Sequence, residues 1–186
     1  LRTATSLPEP VELGYRRLMF DLGLLKDSQD FEDLALSAVD AGAPAEAIRM
    51  LEWGFENGIF SGPDEARFKR LLVHAKEQAA RNKARLAELV QAAQRATTGR
   101  PSVALGRAYL GSGQYDDAAT MLQRGLQKGQ LSDPDEARVE LGIAYLKDDQ
   151  PERARETFAA VAAGSQWHDL ADLWSLRASN QASSRE

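Results

Sequence analysis

Apolar residues along this chain recur at helical spacing, and no stretch bounded by turn residues alternates cleanly at period two. The segment VALGRAYLGSGQYDDAATML, from Val103 to Leu122, is representative. Val103, Leu105, Gly106, Tyr109 and Leu110 form one turn-by-turn series; the pattern breaks at Gly113–Gln114 and resumes with Ala118 and Leu122. Recurrence at three and four residues marks a helix with one apolar face. The segment therefore predicts two helices joined by a tight turn. Abundant alanine, leucine and arginine, with few β-branched runs, extends the helical expectation over the whole chain.

Read this way, Pro10–Leu24 predicts an amphipathic helix with Leu13, Leu18, Phe20 and Leu24 as core positions. Asp30–Gly58 predicts a hairpin. Its first helix carries Phe31, Leu34, Ala35 and Ala38, its turn is Ala41–Gly42–Ala43–Pro44, and its second helix carries Ala47, Leu51, Trp53 and Phe55. Further hairpins are expected over Pro101–Gly129 and Pro134–Gly164. A last helix at Trp167–Asn180 is expected to turn Leu170, Leu173, Trp174 and Leu176 inward. Residues 1–7 and 181–186 are expected to be irregular. Residues 63–97 contain no glycine at a turn position, so one long helix and a hairpin are both open. Even spacing of the units favours a break near Ala80–Lys83, with Asn82 as a cap.

That spacing is an internal repeat. SGPDEAR at Ser61–Arg67 returns as SDPDEAR at Ser132–Arg138, 71 residues on, and the same shift relates Gly42 to Gly113, Ala47 to Ala118, and Gly54 to Gly125. It divides in two: Leu105–Gly106–x–x–Tyr109 returns 36 residues later as Leu141–Gly142–x–x–Tyr145, and Ala118 as Ala154. Two helices approach closely only where side chains are small, so Gly106 and Gly142 suit contacts with the helices bearing Ala118 and Ala154. Asp133–Pro134–Asp135–Glu136 reads as an N-cap, a proline at the first helical position and an acidic first turn.

Leu105, Gly106, Tyr109, Ala118 and Leu122, followed by Leu141, Gly142, Tyr145, Ala154 and Phe158, resemble the tetratricopeptide repeat. The tryptophan usual early in the first helix is missing, and each unit runs two residues long. The resemblance implies an all-α, right-handed α-solenoid of helical hairpins with a C-terminal capping helix. As one domain it divides into an N-terminal helix or cap (1–29), repeats at 30–60, 61–98 (degenerate), 99–131 and 132–164, a capping helix at 165–180, and a tail at 181–186. Taken whole, the chain also resembles bacterial proteins of this class that are often exported, which implies a periplasmic setting.

Charge narrows the partners. The formal net charge is −5, the reverse of the bias a nucleic-acid-binding surface needs. Cysteine is absent, which removes disulfides and thiolate metal sites. No apolar run approaches the roughly 18 residues of a membrane span. Leu1 in place of methionine is expected of a processed or trimmed chain. Between Arg67 and Arg95, eight basic residues face only Glu77 and Glu88. Such a stripe suits an acidic protein partner, an anionic membrane, the acidic surface of a neighbouring copy or simply solvent.

Candidate chemistry is sparse. His74 and His168 fall in distant units, too far apart in sequence for a metal pair at helical spacing. The acid pairs Asp64–Glu65, Asp116–Asp117, Asp135–Glu136 and Asp148–Asp149 lie where the helix dipole favours negative charge. LGSG at Leu110–Gly113 lacks the Gly-Lys-Ser/Thr of a phosphate loop. The expectation is no catalysis, no metal and no cofactor.

The resemblance places a concave groove along the first helix of each hairpin, where partners dock as helices or extended segments. Register assigns to it Glu32, Leu36 and Val39, then Val103, Arg107 and Leu110, then Val139, Ile143, Leu146 and Lys147. Family members that grip a C-terminal carboxylate use lysine and asparagine; Val103, Arg107, Val139 and Ile143 stand there instead, so chaperone tails are not expected. The expected function is a scaffold binding a protein or peptide, with a substrate-positioning module of a larger enzyme or secretion machine as the alternative.

Overall fold

Three turns adopt one backbone solution. Gly42, Gly113 and Asp149 take φ of +79°, +80° and +64°. In each case the next residue donates its N–H to the carbonyl five positions back: Ala43 to Ala38 at 2.8 Å, Gln114 to Tyr109 at 2.9 Å, Gln150 to Tyr145 at 2.8 Å. This bond satisfies the last open carbonyls of a helix and reverses the chain. Proline at the first position of the next helix then restarts it after two of the three turns, at Pro44 and Pro151.

The computed structural model describes residues 7–183, in which these turns set an all-helical array without a strand. The helices are α1 (Glu9–Asp21), α2 (Ser28–Asp40), α3 (Pro44–Glu56), α4 (Glu65–Arg95), α5 (Arg100–Ser112), α6 (Tyr115–Lys128), α7 (Pro134–Lys147), α8 (Pro151–Ala159) and α9 (His168–Ser183). The pairs α2–α3, α5–α6 and α7–α8 are antiparallel hairpins, and the fold is an α-solenoid of such hairpins. The expected irregular ends fall largely outside the described residues; Gln181–Ser183 complete α9.

Local chemistry explains the starts. Asp133 caps α7 by accepting the Glu136 N–H at 3.1 Å, with Pro134 first in the helix. Asp27 caps α2 by accepting from Asp30 at 2.9 Å. Small residues explain the close pairs. A Cβ added to Gly106 would stand 2.7 Å from Leu122 Cγ and 3.0 Å from the Leu122 backbone nitrogen, and one added to Gly142 would overlap the Phe158 ring. Because backbone cannot give way, Gly106→Val is expected to lower stability by about 2 kcal/mol, read as a reduced urea midpoint.

Three expectations are corrected. Residues 65–95 form one helix of 31 residues, with no break at Ala80–Lys83. That stretch holds only good helix formers around Asn82, and its side chain donates to the Gly42 carbonyl at 3.0 Å instead of capping a new helix. On α9, Leu170 and Trp174 are buried, but Leu173 and Leu176 are 42% and 63% exposed; Ala171 and Ala178 take the inward positions. Helix α1 stops at Asp21, because Gly23 at φ +67° reverses the chain, and Leu24 is exposed.

The long α4 splits the interior into two cores. The first gathers α2, α3 and the start of α4 around Phe31, Leu34, Leu51, Phe60 and Phe68, with Phe60 and Phe68 stacked at 3.9 Å. The second gathers α5 to α9 around Leu122, Val139, Phe158, Leu170 and Trp174. Helix α1 belongs to both: Leu13 joins the first, Val11 and Leu18 the second. It is also the exception to an otherwise sequential stack, since it runs back to α9. Gly14 lies against Leu170, and Asp21 against Arg177, seven residues further on in each helix, so the two run parallel.

Candidate protein-docking groove

The first helices of the last two hairpins, α5 and α7, present their inner faces to α1. Arg107 on α5 reaches across to α7, where it meets Glu136 at 2.6 Å and Glu140 at 2.8 and 2.9 Å. Arg17 on α1 donates to Glu46 on α3 at 2.7 to 3.1 Å and lies near enough to Glu140 to act on its charge. A charge network thus ties α3, α1, α7 and α5 together. It is crowded with carboxylates. Burial pushes the Glu140 carboxyl up to about 7; Arg107 pulls it down, and Glu136 adds to the rise. Burial also works against the Arg17 and Arg107 guanidinium groups, but their carboxylate partners outweigh it and raise both.

Arg17, Arg107, Glu136 and Glu140 of this network line an open cleft of about 1040 Å³ between α1, the second half of α4, and the inner faces of α5 and α7. Its floor is apolar, with Leu13, Val103, Leu110, Val139, Ile143 and Trp167. Its rim carries Arg85 and Arg100, which have no ion-pair partner among the described residues, alternating with Glu9 and Glu88. Asp133 holds the far wall. Burial disfavours its charge, but hydrogen bonds from the Trp167 indole (2.8 Å), the Glu136 amide and Gln166 prevail and lower its pKa.

Of the groove positions expected from register, Val103, Arg107, Leu110, Val139 and Ile143 do line this cleft. Val103, Val139 and Ile143 are only 6%, 2% and 7% exposed, so they form a floor and not the open surface expected of them. Leu146 is buried in the second core, and Lys147 is paired with Asp21 of α1. In the first hairpin Leu36 is exposed away from the cleft, Val39 packs on the first core, and Glu32 pairs with Arg67 at 3.0 Å. What register could not supply is α1, which brings Glu9, Leu13, Gly14 and Arg17 to the wall of the cleft.

Residues 103–166, from the first turn of α5 to just beyond α8, match the tetratricopeptide repeat family. The chain carries tetratricopeptide repeats. Comparisons with curated proteins and with solved structures find no match. Tetratricopeptide repeats generally mediate protein–protein interaction, and here Leu105, Gly106, Ala118 and Leu122, then Leu141, Gly142, Ala154 and Phe158, are the buried residues that hold each repeat together.

Outside the groove little chemistry assembles. Among the described residues no group of three or more histidine or acidic residues could hold a metal ion, and no helix is long and apolar enough to cross a membrane. His74 is exposed, and His168 lies 3.7 Å from Asp172. The basic stripe is divided along α4: Arg67, Lys69 and Lys76 pair with Glu32, Glu65 and Glu52, whereas Arg81, Lys83 and Arg85 stand exposed on the second half.

Proposed function

We propose that this chain is a non-catalytic scaffold that holds a peptide or helix of a partner protein in the cleft beside α1. One observation carries the reading: the inner faces of two repeats meet in an open cleft that presents apolar side chains together with partly unpaired charge. The apolar side chains supply the burial that drives association, and the charge supplies orientation. Titrating groups inside the cleft are engaged with one another, Arg107 with Glu136 and Glu140, Asp133 with a helix amide and an indole, which suits a structural role for them.

A photo-reactive phenylalanine analogue placed at Ala104, exposed within the cleft, tests this. It is expected to cross-link one discrete partner segment, while the same group at Val73, exposed on α4 away from the cleft, gives no such product. Equal labelling from both positions would remove the cleft from the account.

A further inference from the structure

The contacts that α1 makes where it packs along α9 show what its seat recognises. Across α1, Val11 and Leu18 enter the second core seven residues apart, and Gly14 between them lies where an added Cβ would overlap Leu170. One turn beyond Leu18, Asp21 accepts from Lys147 and, at 2.7 Å, from Arg177. The pattern is an apolar pair around a small residue, followed by a carboxylate.

Several features make α1 depend on the array for its stability. It buries four residues, as do α2, α6 and α9, against nine for α7. Pro8 gives its start no side-chain cap, and no basic residue stands in its last turn. Asp21 puts a negative charge at the end where the helix dipole is already negative, so both cations that offset it come from the array. A helix of 13 residues with such ends is marginal without its seat. The hairpins that form the seat pair with one another and close their cores largely without it.

We propose that the seat of α1 is a helix-docking site, which α1 holds against a partner helix of the same chemistry: two apolar residues seven apart, glycine three after the first, and an acidic residue three after the second. This goes beyond the cleft reading above, although it rests on the same interaction role. It is tested with α1 removed from its seat, whereas the Ala104 cross-link is read with α1 in place, so either can fail alone.

The probe is a labelled synthetic peptide of residues 7–24, titrated into the full chain carrying Gly14→Leu, whose own α1 cannot close on Leu170. The variant is expected to stay folded and to bind the peptide at least tenfold more tightly than the wild-type chain, whose tethered α1 competes at high effective concentration. A peptide that itself carries Gly14→Leu is expected to lose that binding. Absence of binding to the folded variant, or equal binding of both peptides, overturns the proposal. So does cooperative unfolding of the whole array in the variant, which would make α1 integral. In the wild-type chain, hydrogen exchange at α1 amides is expected to run at least a hundredfold faster than at α7; equal rates overturn the proposal independently.

Discussion

Phe158→Ala is expected to destabilise the chain by about 3–5 kcal/mol, the range for deleting a fully buried aromatic ring whose neighbours cannot collapse into its place. Phe158 is 2% exposed, seats its ring over Gly142 and stacks 6.5 Å from Trp174. It therefore joins α7, α8 and α9 at one point. Glycine at position 142 exists to admit that ring, so the void left behind is bounded by backbone on one side and by an indole on the other. Leu176→Ala on α9 provides the contrast. Leu176 is 63% exposed, and its truncation is expected to change stability by no more than about 0.5 kcal/mol. Urea unfolding of both variants checks the pair; a loss of several kcal/mol at Leu176 would mean that α9 caps the array through a different face.

The second large effect is a dependence on pH. The Glu140 carboxyl titrates near 7 in the folded protein because burial opposes its charge, against an ordinary 4.5. The folded state therefore retains a proton that the unfolded state has released, and stability falls as pH rises between those values. At about 1.4 kcal/mol per pH unit the fall amounts to at most about 3 kcal/mol. Glu140→Gln keeps the volume and one acceptor for Arg107 but has nothing to ionise. Urea titrations from pH 5 to pH 8 are expected to show the variant gaining on the wild-type chain, near parity at the acid end and ahead at pH 8. Parallel curves would show that Arg107 fully compensates the buried charge.

How much of this was legible in the sequence depends on where the determining groups lie. Turns at Gly42, Gly113 and Asp149 could be read directly, because left-handed backbone and a following helix start each have a local residue signature. The close approaches at Gly106 and Gly142 could be read from their spacing to Ala118 and Ala154. The single helix α4 could not: repeat register argued for a fold-back, but no residue between Ala80 and Lys83 terminates a helix, and local chemistry prevailed over period. The inward face of α9 was ambiguous for a different reason. Large apolar residues spread over about half of its circumference, and the partner surface chose the side where Ala171 and Ala178 allow close packing.

The candidate groove was legible in part: Leu36, Val39, Leu146 and Lys147 do not line the cleft. Val103, Val139 and Ile143 line the cleft as register requires, yet they are buried and share that lining with a helix from the other end of the chain. A signal for this exists in α1 itself. Its apolar residues form two stripes, Val11 and Leu18 on one and Leu13 and Phe20 on the other, which is what a helix wedged between two cores needs. A cap at the end of a solenoid needs only one.

Whether α1 folds back across the array can be measured on the native chain with a carbodiimide, which joins a carboxylate to an amine only when they touch. Asp21 and Lys147 are in direct contact although 126 residues apart. The expected product is a monomer in which the peptides containing Asp21 and Lys147 are joined by an amide bond. Cross-linked monomers that lack this bond, or the bond found only in dimers, would contradict the fold-back on which the groove and its recognition chemistry depend.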